Sequence, residues 1–289
     1  MTSSRNFSKP SRLVQLFQER CGLPDAAADD AIRTLARRLG ASSGEPGNID
    51  VLLPIRNIVD VAIVPDLPCD GMIVPIGRSP SDGFRMSLSG AQKASRFRFT
   101  KAHEICHTFF YELVPEEKFV PHSTDPAEER LCNIGAAELL MPVEMVEAEA
   151  SREDVSIAAL QRISKRFRVS AAAMLLRLRE LGLWHCEFAS WHRMVDGSFV
   201  LDRLIGGQKF NWQLDFAILH GAWNNDTGRV GSGFTFIYGD RGTVSAAKAV
   251  HYEIQRQGDA ILTLWSRRKL MKRETMPPLF KAPKRRRAG

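Results

Sequence analysis

The five residues His103-Glu104-Ile105-Cys106-His107 constrain this chain more than any other feature. On a helix, positions i and i+4 lie on one face, so both imidazoles can reach a single metal ion. Glu104 then stands beside the open coordination position, where it can take a proton from a metal-bound water. Neutral imidazoles suit Zn²⁺, and the ion lowers the pKa of its bound water towards ~7. The spacing predicts a zinc site suited to amide hydrolysis, with His103 and His107 as ligands and Glu104 as the base.

A five-letter match can arise by accident, so the surroundings decide. Phe97 to Tyr111 reads as a helix: Ala102, Ile105, Cys106, Phe109 and Phe110 recur at helical spacing, with no Pro or Gly between. A buried helix carrying two histidines and a glutamate needs something to satisfy those groups, and a metal does this. A catalytic zinc usually takes three protein ligands. Downstream, Asp125-Pro126 is a helix start with a capping side chain and a proline at the first helical position. Glu129 shares a helical face with Cys132, Asn133 and Ala136, and small residues there allow close approach to the first helix. Glu128 is the obvious rival, with His122 behind it. The carboxylate that is not a ligand is expected to be an exposed helix residue.

The combination Arg-Phe-Thr-x-Ala-His-Glu-x-x-His at 98–107, then Glu-x-x-x-Asn-x-x-Ala-x-x-Leu-Leu-Met-Pro at 129–142, resembles the ImmA/IrrE family of metallo-endopeptidases. The resemblance covers roughly residues 50–185. It implies that His103, His107 and Glu129 bind zinc and that Glu104 is the general base. It also implies a narrow substrate, since relatives typically cleave one DNA-binding repressor in response to stress or mobile-element signals. Three positions depart from the family pattern. Cys106 stands where glycine is common, Cys132 where alanine is usual, and Gly135 where an aromatic is usual. All three bear on packing around the site; none removes a chemical group. Tyr111, Arg96 and His122 are the candidates to assist zinc at the oxyanion.

Composition sets the frame. With 44% hydrophobic and 25% charged residues the chain can bury an ordinary core, and no apolar run approaches the ~18 residues that span a bilayer. Met1 to Pro10 is polar, unlike a signal peptide. The five cysteines are widely spaced without a Cys-x-x-Cys pair, which fits a reducing, cytoplasmic setting. The net charge of +7 is local: from Arg267 onward ten Lys or Arg face one acid, Glu274, leaving −2 for the preceding 266 residues. The tail is expected to be disordered and solubilising, with weak nucleic-acid contact as the sharper reading.

Ser11–Cys21 and Asp25–Leu39 read as helices, Ala41 to Gly47 as a loop, and Asn48–Val59 as a short helix interrupted by Pro54. Val61–Pro65, Gly71–Val74 and Phe84–Leu88 read as strands, a small sheet on which an extended peptide could add itself. Helices follow at Pro142–Glu149, Val155–Phe167 and Ser170–Leu181; the last two resemble a helix-turn-helix but are expected to pack against the protease domain. From Leu183 the texture is β-rich, with segments at Ser198–Leu204, Phe216–Ala222, Gly233–Tyr238, Ala247–Gln255 and Ala260–Trp265. Gln257-Gly258-Asp259 reads as a hairpin turn, and the five tryptophans as core first and ligand pocket second.

The expectation is an α+β chain: a mainly helical, zincin-like protease domain with a small sheet, followed by a β-rich C-terminal domain. The boundaries are 1–47 for an N-terminal helical segment, 48–190 for the metallopeptidase domain, 195–270 for an accessory or sensor domain, and 271–289 for the tail. The function expected is a cytoplasmic zinc endopeptidase acting on a protein substrate, a helix-turn-helix repressor, with no membrane partner. The alternatives are a non-proteolytic regulator on the same fold and a nucleic-acid-binding regulator.

Overall fold

The structure is a computed structural model that describes residues 28–44, 47–77, 80–111, 126–206, 216–224, 229–238 and 244–266. The expected Ser11–Cys21 helix, Asp125, His122, Trp212 and the basic tail lie outside these residues. The chain divides into two compact units, Met1–Val146 with Ser164–Ser170, and Glu147–Ile163 with Ala171–Gly289.

In the first unit, α1 (Ala28–Ala41) buries the stripe Ala31, Ile32, Ala36 and Leu39. The helix expected over Asn48–Val59 shrinks to α2 (Leu52–Ile55), and β1 (Ile58–Val64) takes over its last two residues. Asn57 explains the difference: it sits at φ 54, a left-handed conformation that stops a helix and that Asn tolerates. The β-branched run that follows then prefers an extended chain. With β2 (Gly71–Pro75) and β3 (Phe84–Ser89) it forms a sheet of order β1-β3-β2, parallel between β1 and β3 and antiparallel between β2 and β3. Phe84, Met86 and Leu88 of the central strand alternate into the core.

Helix α3 (Ala94–Tyr111) packs on β2 and β3, and α4 (Pro126–Leu140) packs on α3. Proline opens α4 where its missing N–H costs nothing, and Glu128 and Glu129 follow in the first turn, favourable for the helix dipole. Ion pairs hold α1 against α4. Arg37 Nε donates to the buried Glu138 at 2.9 Å, and Arg130 donates to both oxygens of Asp29 at 2.8 and 2.6 Å. Leu131, Cys132 and Ala136 of α4 are fully buried, and Gly135 brings the backbone close: a Cβ there would lie 2.7 Å from Cys106 Sγ. The sulfur at 106 thus lies in the space that glycine at 135 leaves open.

The second unit contains half of α5 (Val143–Ala150), most of α6 (Ile157–Phe167) and all of α7 (Ala171–Glu180). Its antiparallel sheet has the order β5-β4-β8-β7-β6, from β4 (Glu187–Arg193), β5 (Phe199–Ile205), β6 (Arg229–Tyr238), β7 (Val244–Gln257) and β8 (Ala260–Ser266). Gly258 and Asp259 make the turn between β7 and β8, as expected. β4 had not been recognised in the sequence. Phe216–Ala222, read as a strand segment, is instead helix α8 (Phe216–Asn224). Leu219 and Ala222 are buried and Trp223 is half-buried, a spacing of three and four that serves one helical face. Trp191 and Trp265 join Phe199, Leu219, Ile254 and Ile261 in this core, so these rings pack rather than line a pocket. The fold is α+β, mainly helical around a small sheet and then β-rich. Among the described residues no helix is long and apolar enough to cross a membrane.

Candidate metal centre

The i, i+4 spacing on α3 and the first turn of α4 bring His103, His107 and Glu129 to one point. His103 Nε2 and His107 Nε2 are 3.1 Å apart. The Glu129 carboxylate meets them at 3.1 Å from His103 and 3.4 Å from His107. A tetrahedral zinc with bonds of about 2.0–2.1 Å separates its ligand atoms by about 3.3 Å.

The outer nitrogens decide what the inner ones offer. His107 Nδ1 faces Glu128 Oε1 at 2.7 Å, and His103 Nδ1 faces Asn133 Oδ1 at 3.1 Å. Both partners are acceptors, so each ring carries its proton on Nδ1 and turns a lone pair inward from Nε2. Two lone pairs and a carboxylate within 4.8 Å of one another repel unless a cation lies among them. The same demand for positive charge shows in the titration of these groups. The imidazoles of His103 and His107 beside it hold the Glu129 carboxyl well below the usual carboxylate range. Burial opposes charge on His107, but Cys132, Glu128 and Glu129 together outweigh it and raise its pKa. The residues present fit a divalent metal, and the imidazole and carboxylate donor set suits zinc.

Glu128 is the correction. The rival carboxylate was expected to be exposed if it was not a ligand; it is 1% exposed and sits behind His107. Oriented outer partners of this kind fix ring direction and tautomer at metal sites. Cys106 and Cys132 are buried neutral thiols. Burial raises both, Cys132 to about 11, although the Cys132 thiol also hydrogen-bonds His107.

Glu104, 5% exposed, lies on the same helix and lines the same cleft of about 420 Å³. Burial pushes its pKa up, His107 and His103 pull it back, and Glu129 raises it again. The far wall is β2, an edge of the small sheet. Gly71 on that strand approaches so closely that a Cβ would lie 2.5 Å from Thr100 Cγ2 and 2.8 Å from Glu104 Oε1. Of the residues considered for the oxyanion, Arg96 lines the cleft but is ion-paired to Asp70. The side chain of Tyr111 and all of His122 lie outside the described residues. Gly71, Asp70 and Thr100 had not been singled out; only the glycine, isolated in a strand pattern, offered a signal of close approach.

Residues 79–179 match the IrrE N-terminal-like domain of the peptidase M78 family. The chain is 30% identical over 161 residues to a radiation response metalloprotease IrrE of Deinococcus deserti, covering 54% of each chain. It is 33% identical over 101 residues to the protein of that name in Deinococcus radiodurans, covering 32% of this chain and 30% of the relative. The alignments thus span about half, or less, of these curated relatives. A solved Mycobacterium tuberculosis transcriptional regulator aligns at TM-score 0.47 and 15% identity over 88% of this chain and 79% of its own. Residues 79–179 of this chain thus form a domain similar to the IrrE N-terminal-like domain of the peptidase M78 family.

Proposed function

We propose that this chain is a zinc endopeptidase of narrow specificity whose substrate is a DNA-binding helix-turn-helix repressor. The observation that carries the hydrolytic part is the buried Glu104 beside the two histidines. A carboxylate in that position costs stability, and a protein that only binds a partner has no use for it.

In this reading His103, His107 and Glu129 hold the metal, while Glu128 and Asn133 keep the two rings turned towards it. Bound zinc supplies a Lewis acid that acidifies water and polarises a carbonyl. Glu104 accepts the proton of the attacking water and passes it to the departing amine nitrogen. Its burial raises its proton affinity, which strengthens it as the base that takes the proton from water. The substrate lies extended along β2, because only an edge strand leaves a side open for backbone pairing. Among its described residues the β-rich unit holds no comparable metal or base cluster, and we assign it sensing or docking.

The test is cleavage of candidate repressors by the full-length zinc-loaded protein, followed by mass spectrometry of the fragments. One defined cut, abolished by chelator and by Glu104→Gln, is the expected result. Cleavage that survives Glu104→Gln would overturn the mechanism. Chelator-sensitive cuts scattered through unrelated proteins would overturn the narrow specificity.

A further inference from the structure

A second cavity, of about 270 Å³, lies behind α3 in the same unit. Arg98 lines it. At 100° per residue, Arg98 is about 140° around the helix from His103 and about 180° from His107, so this cavity and the metal centre use opposite faces of α3. Gly47, Asn48 and Leu140 form neutral walls, and Arg166 and Arg168 at the end of α6 add two more guanidinium groups. No acidic side chain is among the described residues that line it.

Two observations, one at Arg98 and one at Arg168, point to an anion in this cavity. Arg98 donates through one terminal nitrogen to the Gly47 carbonyl, but its Nε is buried with no hydrogen-bond partner. Buried guanidinium donors normally find an acceptor. Burial, and then the charge of Arg168, press the Arg98 pKa downward, against Asp50. Asp50 is itself occupied by Lys101 at 2.8 Å.

The second observation concerns the backbone. Helix α6 closes in a Schellman turn: the Arg168 N–H donates to Lys165 O at 3.1 Å and the Val169 N–H to Ser164 O at 3.0 Å. Arg168 takes the left-handed position, at φ 55. Helix α7 ends through the same pair of bonds with Gly182 in that position, at φ 69. Glycine is relaxed there and arginine is strained. The strained residue lines the cavity.

We infer that this cavity binds a phosphate group, either inorganic phosphate or the end of a phosphomonoester. A carboxylate offers two oxygens and a single charge. A phosphate monoester offers three oxygens and a charge of about −1.5 to −2 at pH 7, closer to what the guanidinium groups of Arg98 and Arg168 require together. Planar guanidinium groups also bind phosphate oxygens in pairs.

Calorimetric titration of the full-length, zinc-loaded protein with inorganic phosphate and with glycerol phosphate tests this. Arg168→Gly and Arg98→Met are compared at matched zinc content. Saturable binding of either ligand, weakened at least about tenfold in Arg168→Gly, is the expected result. Tighter glycerol phosphate would identify an organic phosphate, and phosphate alone would identify the free ion. Without ligand, Arg168→Gly should melt at a higher temperature than the native protein, because strain and charge repulsion are both removed. A merely structural arginine would give the opposite shift. Should Arg98→Met fail to fold, Arg168→Gly still decides. Three results would overturn the inference: no binding up to about 10 mM, equal binding by Arg168→Gly as for phosphate held at the metal, and binding of duplex DNA without binding of either small phosphate.

Discussion

Glu128 Oε1 lies 2.7 Å from His107 Nδ1, and this contact turns the other nitrogen of the ring towards His103. Glu129, the next residue, meets both rings from the opposite side. In the proposed site, adjacent carboxylates would thus share one histidine between an outer, orienting role and an inner, coordinating one. Glu128→Ala should lower zinc affinity by roughly 10–100-fold. Glu129→Ala should lower it further, because a ligand is removed. Glu128→Gln keeps an acceptor oxygen and should fall between Glu128→Ala and the native protein. Competition against a chromophoric chelator measures all three; native affinity in Glu128→Ala would contradict the assignment.

Gly71 makes a prediction independent of the metal. A methyl group there would meet Thr100 Cγ2 at 2.5 Å and Glu104 Oε1 at 2.8 Å. Glu104 can move, but only out of the position proposed for proton transfer. Gly71→Ala should retain zinc and lose at least tenfold in kcat, about 1.4 kcal/mol in barrier. Unchanged kcat, measured on the cleaved repressor, would show that the Glu104 position is not critical.

The meeting of His103, His107 and Glu129 was legible because its information is local. A spacing of four within one helix brings His103 and His107 together whatever the fold, and a proline at 126 sets where the second helix begins. The outer role of Glu128 was not legible. Consecutive helix residues point about 100° apart, so one of the pair had to turn away from the metal. Whether it turned towards solvent or behind His107 depends on where α4 sits on α3. The wall at Gly71 was hidden for a similar reason: it comes from a strand some thirty residues upstream whose position follows from sheet topology. In the β-rich unit, Phe216–Ala222 is short and apolar, a pattern that suits either a strand or a buried helix. Only the face shared by Leu219, Ala222 and Trp223 distinguishes the helix from a strand there.

The pairing of Cys106 with Gly135 predicts coupled substitutions. Gly135→Ala places a methyl 2.7 Å from Cys106 Sγ and 3.1 Å from Ile32 Cγ1, and should cost about 1–3 kcal/mol. Adding Cys106→Gly opens the space and should recover part of that cost. Denaturant unfolding of the two single variants and the double variant gives the coupling; strict additivity would mean that the sulfur is not what excludes the methyl.

The central claim is that His103, His107 and Glu129 hold one zinc ion on which Glu104 acts as the base. X-ray absorption at the zinc edge, on protein purified without chelators, tests it most directly when combined with metal analysis of His103→Ala and Glu104→Gln. The account predicts about one zinc per chain, with two imidazole nitrogens and carboxylate oxygen at about 2.0–2.2 Å. It predicts loss of most of the metal in His103→Ala, and full metal with no hydrolysis in Glu104→Gln. A sulfur ligand near 2.3 Å, or zinc that remains after His103→Ala, would contradict it.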